Sequence, residues 1–181
     1  MYSRSNQSLA FEAFWRSLRG PRLVPDRGDF RHRQAAQFLP NIVLLEAPGE
    51  HRASLHIRLA GQTLQDDVPY RLVGTDILDF YPAQHRCAAV ESGRLMMRTP
   101  CGLWQITPVH HSAGFARPVE VTAFPLSSIA DGIPLVMVHL LHLETLLPAA
   151  CAPVSNIAAD TALEFRFLDI GRGEPRWPLA A

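Results

Sequence analysis

The chain has 181 residues, 48% hydrophobic and 19% charged, which suits one globular domain with a single core. Its 17 basic and 17 acidic residues cancel, so no net field draws it to nucleic acid or to an anionic membrane. Every basic residue is arginine, and the absence of lysine excludes Schiff-base and Walker-type lysine chemistry.

The cysteines Cys87, Cys101 and Cys151 are odd in number and lack CxxC spacing, which predicts reduced thiols rather than a disulfide framework or zinc knuckle. The N-terminal stretch MYSRSNQSLAFEAFWRSLRG holds no apolar run with a small-residue cleavage site, so it does not read as a secretory signal. The longest apolar stretch, IPLVMVHLLHLETLLP, is shorter than the ~20 residues that span a bilayer and carries two histidines and a glutamate. A soluble, cytoplasmic protein without membrane or nucleic-acid partners is expected.

Along the chain, Ser8 is the expected N-cap of a helix running to about Leu18. Phe11, Phe14, Trp15 and Leu18 lie on one face, and Gly20-Pro21 stops it. An arginine-rich connection leads to a second short helix between Asp29 and Pro40. Asn41 to Ala47 reads as a strand apolar on both faces, hence interior. After a PGEH turn, Ser54 to Ala60 alternates, with Leu55, Ile57 and Leu59 on one face. Gln62 to Tyr81 has the look of short helical turns broken at Pro69 and Gly74, and Pro82 opens a longer helix to Arg98. Three further strands follow: Leu103 to His111, Arg117 to Leu126 after a Ser-Ala-Gly turn, and Ile133 to Leu143 after Asp-Gly. The last is apolar on both faces and so also interior. The order is an α+β plan, with helices gathered on one side of a five-stranded antiparallel sheet. Ala162 to Ile170, with Leu163, Phe165 and Phe167 alternating, adds an extra C-terminal strand suited to covering a sheet edge.

The segments FWRSLRG, RLVPDR, FLPNIVLLE, IRLAG, LVGTDILDFY, PCGL, VEVTAFPLSS and FLDIGRG together resemble a stand-alone bacterial family of PAS-like domains. The resemblance implies strand order 2-1-5-4-3, in which the first and fifth strands are interior. Those are the two strands whose periodicity is apolar on both faces. Residues 1–40 then form an N-terminal helical cover, 41–147 the PAS-like core, and 148–181 a C-terminal extension with the extra strand and a tail. The resemblance also implies a sensory or signalling module that binds a small molecule or a partner protein, with output lying outside the chain.

Chemistry-bearing residues are sparse. His110-His111 and His139/His142 point to opposite strand faces within each pair, so neither pair clamps one metal ion. No metal, haem or flavin is therefore expected, and His139, on an interior strand, is the histidine to test first. No GxSxG, HExxH or P-loop is present, and Cys101 reads as a small buried residue. Asp66-Asp67 and Asp76/Asp79 suit helix capping. A small isomerase or hydrolase would need His139 to meet one of these aspartates. Arg16, Arg19, Arg22, Arg27, Arg31 and Arg33 form a basic patch suited either to an anionic partner or to clamping the N-terminal segment on the sheet. Phe11, Trp15 and Leu18 either pack on the chain's own sheet or make an isologous homodimer contact. Tyr70, Phe80, Tyr81, Met97, Trp104, Met137 and His139 are the candidate pocket lining, for a small molecule whose occupancy a signalling partner would read.

Overall fold

In a computed structural model, residues 2–30, 32–49, 51, 53–111, 114–144, 147–148 and 157–176 are described. The Ser112-Ala113 part of the predicted turn, Cys151 and the last five residues of the tail lie outside them. The first helix, α1, spans Asn6–Arg19 and is capped by Ser5 rather than Ser8, the Ser5 hydroxyl accepting the Ser8 N–H at 3.1 Å. The reason is tertiary. Ser5 donates its N–H, at 2.9 Å, and its hydroxyl to the Glu120 carboxylate, while the buried Ser8 hydroxyl pairs with Thr122 at 2.7 Å. Gly20, at φ 55°, then ends the helix in a left-handed conformation open to glycine.

The expected single helix after Asp29 is instead a series of short pieces: a 3₁₀ turn at Arg27–Asp29, α2 at His32–Ala35, and another 3₁₀ turn at Leu39–Asn41. A reciprocal capping box between Asp26 and Asp29 closes the first turn, and Phe30 leaves it extended.

Among the described residues eight strands form one antiparallel sheet: β1 Ile42–Glu46, β2 Ile57–Ala60, β3 Gly102–His111, β4 Phe115–Leu126, β5 Leu135–His142, β6 Leu147–Pro148, β7 Ile157–Ala159 and β8 Glu164–Leu168. Their order is β2-β1-β5-β4-β3, with β7 and β8 sharing the outer edge of β3 and β6 beside β4. The five-strand order and the interior positions of β1 and β5 match the expectation, and β8 covers an edge as anticipated.

Two details depart from simple alternation. In β2 the register shifts so that Ile57 opposes Leu45 and Leu59 opposes Leu44. Arg58 is the extra residue of this bulge, and Leu59 is thrown to the face opposite Ile57. At the other edge the extra strand is split, because residues 160–163 arch away from β3. Pro108 sits there with its carbonyl accepting the Asp160 N–H at 2.9 Å, but it has no N–H to return.

Both sheet faces are covered. The middle helices, α3 at Gln62–Asp66, a 3₁₀ turn at Ile77–Phe80 and α4 at Ala83–Arg98, gather on one face. On the other, α1 lays Phe11, Trp15 and Leu18 against Ile42, Leu44, Phe124, Leu135 and Met137. Trp15 stacks on Phe124 with ring centroids 4.9 Å apart and donates its Nε1–H to the Pro125 carbonyl at 2.9 Å. Close approach demands Gly102, since a Cβ there would lie 2.4 Å from the Phe124 ring. Because α1 lies over it, β4 too is buried on both faces.

Trp15→Ala is expected to cost about 3–5 kcal/mol, the usual loss for truncating a fully buried aromatic, measured as a lowered urea midpoint with unchanged slope.

Candidate functional site

The inner stripe of α4 is made of small residues. His85, Ala88, Ala89, Ser92, Gly93 and Met96 recur at helical spacing and face the sheet, whose opposing side chains are mostly Val, Leu and Ala. Short side chains on both layers cannot meet across the gap. A cavity of about 470 Å³ remains between them. Its floor is Val43 and Leu45 of β1, Val136, Val138 and Leu140 of β5, Val121 and Ala123 of β4, and Leu103, Gln105 and Thr107 of β3. Gly93 sets how near the helix comes to the β1 end, as a Cβ there would meet the Pro48 ring at 2.9 Å.

A smaller cavity of about 130 Å³ adjoins it, sharing Val43, Ile77, Tyr81, Thr107, Val121 and Leu140, and runs on to His111, His142 and Asp67. At the outer end, the arch between β7 and β8 supplies Asp160, Thr161, Ala162 and Phe165 to the larger cavity. Thr161 and Ala88 are exposed, so the cavity reaches solvent between this arch and α4.

Polar groups are few. The Tyr81 side chain hydrogen-bonds Gln105, and burial holds its phenol above the usual range, so it is a neutral hydroxyl. Thr107 is 3% exposed, yet its Oγ1 has no hydrogen-bond partner. At the mouth, Asp160 accepts from His110 Nε2 at 3.1 Å and lies 3.8 Å from His85 Nε2, which in turn meets the Thr161 hydroxyl at 3.2 Å. The Thr161 N–H, and then His110, hold the Asp160 carboxyl below its usual range. At the inner end, Asp67 lies 3.6 Å from His142 Nε2. Burial lowers the pKa of both His142 and His111, and the His111 Nε2 is buried without a partner.

Of the expected lining residues, Tyr81 and Phe80 are in place: Tyr81 borders both cavities and Phe80 the smaller. Trp104, Met137 and His139 are on the opposite face, beneath α1. Trp104 Nε1–H donates to Glu120 at 2.6 Å, Met137 packs in the α1 core, and His139 stacks on Phe11 with centroids 5.1 Å apart. Their neighbours Leu103, Gln105, Val136 and Val138 line the cavity instead, one strand position away. Tyr70 is exposed, and Met97 packs beside the core without reaching the cavity. The residues missed, from Ala88 to Gly93, left a signal in the sequence: a long helix whose inward stripe is too small to fill a core.

The other candidate sites resolve structurally. Phe11, Trp15 and Leu18 are buried in their own chain, so the stripe is not a free dimer face. The arginines have partners within the chain: Arg16 and Arg19 donate to the Asp169 and Ile170 carbonyls at 3.1 and 3.0 Å, Arg22 pairs with Asp29, and Arg27 lies 3.8 Å from Asp131. Arg31 and the Arg33 side chain lie outside the described residues. Asp76 caps its 3₁₀ turn and also accepts the Leu55 N–H at 3.1 Å. His139, stacked on Phe11 beneath α1, does not meet the cavity-lining Asp67, whose histidine neighbour is His142 instead. Cys101 is fully buried, with its thiol pushed up to about 12 by burial and by nearby Glu174 and Asp169. No group of three His, Cys, Asp or Glu among the described residues is placed for a metal ion. Among the described residues no arginine lines either cavity, and His139 is on the opposite face from both.

A family model described as a PAS domain matches residues 1–137. The chain belongs to this PAS-domain family. The match includes α1 through the start of β5 and leaves the arch between β7 and β8 outside it. No curated protein matches the chain. Among the described residues no helix is long and apolar enough to cross a membrane.

Burial lowers His139 to about 4, against which the nearby Glu120 carboxylate pulls upward. The unfolded chain therefore takes up this proton first, and stability falls as pH drops from about 6.5 towards 4. His139 accounts for up to about 3 kcal/mol of that loss, with His111 and His142 adding in the same direction. In urea unfolding at pH 7.5 and 4.5, His139→Leu is expected to retain stability at the higher pH and to show a smaller acid loss.

Proposed function

We propose that this PAS-domain chain is a sensory module that takes up a small molecule between its sheet and α4 and passes occupancy to a separate signalling protein. The observation that carries the reading is the cavity itself. Some 470 Å³ lies within the range of about 300–1,000 Å³ used for small-molecule sites, and it contains a buried hydroxyl, that of Thr107, with no partner of its own. Well-packed cores leave few such voids. The asymmetry of the molecule supports the same reading: one face of the sheet is sealed by α1, while the other is left hollow under a helix of small residues.

The mouth supports a route for the signal. The His85 contacts with Asp160 and Thr161 join α4 to the β7–β8 arch, so a molecule entering there must part or press on them. Both elements are on the surface and available to a partner.

Native mass spectrometry of the full chain, purified without denaturant, is expected to show a bound non-protein mass. Ala89→Phe, which fills part of the larger cavity from a half-buried helix position, is expected to remove it while the protein stays folded. A protein that is empty, and whose melting temperature no small molecule raises, would instead act as an adaptor by protein contact alone.

A further inference from the structure

We infer that the ligand of this cavity is an uncharged, mainly aliphatic molecule whose single hydroxyl or carbonyl group is held by Thr107. This rests on reading the cavity as the ligand site, and adds to it the chemistry of what enters.

Among the described residues the lining has no arginine, and the chain has no lysine. An incoming carboxylate or phosphate would find no fixed positive charge. Histidines are the other potential cations, and burial keeps His111 and His142 neutral. The remaining one, His85, is at the mouth on Asp160. Among the described lining residues the carboxylates are at the two ends, Asp67 beside His142 and Asp160 on His110 at the solvent-reaching mouth, and the floor between them offers an incoming cation none. Taking an unpaired charge into such a place is strongly unfavourable, which selects a neutral molecule.

The wall favours an aliphatic one. Among the described residues around the larger cavity, Tyr81 and Phe165 are the Phe, Tyr or Trp side chains, and Phe165 meets Phe167 edge-on. Branched aliphatic groups of β1, β4 and β5 make the floor.

The position of the polar group follows from the unsatisfied atom. Thr107 borders both cavities and is at their junction with Tyr81, close to the Tyr81–Gln105 hydrogen bond. Its Oγ1 can donate to a carbonyl or accept from a hydroxyl. A ligand placing such a group there satisfies a buried atom that the protein leaves alone, with its chain lying along the aliphatic floor.

The test uses the full chain at pH 7.5, with N-phenyl-1-naphthylamine, a neutral fluorescent probe, bound first and then displaced by decan-1-ol or by decanoate. Decan-1-ol is expected to displace it at concentrations at least about tenfold lower than decanoate. Thr107→Val, which keeps the shape and removes the hydroxyl, is expected to weaken decan-1-ol about 3- to 10-fold, and Thr107→Ser to restore it. Equal or better displacement by decanoate would overturn the neutral class. Equal decan-1-ol affinity in the wild type and Thr107→Val would overturn the placement of the polar group. Failure of the probe to bind the wild type, or undiminished binding in Ala89→Phe, would count against the cavity reading itself rather than against this inference alone.

Discussion

The seal between α1 and the sheet is what the rest of this molecule depends on. Phe11, Trp15 and Leu18 close over Phe124, Met137 and Leu135 on that side of β1, β4 and β5. A sheet with apolar side chains on both faces has to cover both, and a domain that leaves one cover loose needs the other to be tight. Most of the large aromatic residues are accordingly on the α1 side, and small and branched side chains are on the other.

The same seal is locked by polar groups. Glu120, 1% exposed, accepts from the Ser5 N–H and hydroxyl and from Trp104 Nε1–H, so one buried carboxylate fixes the start of α1 to β4 and β3. Each donor satisfies part of a charge that would be costly to bury alone. At the far end of α1, Arg16 and Arg19 bond the carbonyls of the FLDIGRG segment, and Ile170 inserts into the α1 core. Asp26, in the RLVPDR segment, accepts the Gly28 and Ile129 N–H groups and binds the connection to the β4–β5 turn. The sequence segments that carried the family resemblance are therefore chiefly fastenings of the cover, and the chemistry of the pocket is elsewhere. The arch between β7 and β8, which lies beyond the family match, helps close the pocket mouth.

Much of the fold was legible along the chain because each strand and helix imposes its own period. β1 and β5, apolar on both faces, announced themselves as interior, and α4 began and ended where its prolines required. The pocket was much less legible, and the reason is parity. On a strand buried on one face, alternation tells inside from outside; on β3, β4 and β5 both faces are apolar, so Trp104 and Leu103, or Met137 and Val138, are equally plausible as lining. Size misled as well. Large aromatic and methionine side chains look like pocket walls, but they fill space, and the void is where Ala88, Ala89, Ser92 and Gly93 fail to. In β2 the bulge at Arg58 reversed Leu59, a shift set by pairing with β1 and invisible to a count of alternate residues.

What the sequence determined by itself was the class of architecture: one α+β domain, five core strands in known order, a cover helix with an aromatic stripe, and no lysine or catalytic motif. The elements follow from local periodicity and composition, which act residue by residue, and the strand order from the family resemblance. Tertiary structure alone decided which face each central strand shows to the cavity, why the first helix starts at Ser5, where the extra strand breaks at Pro108, and that Thr107 is buried without a partner. Those outcomes depend on contacts between segments far apart in the chain, such as Ser5 with Glu120 and Asp160 with Pro108, and local spacing carries no record of them.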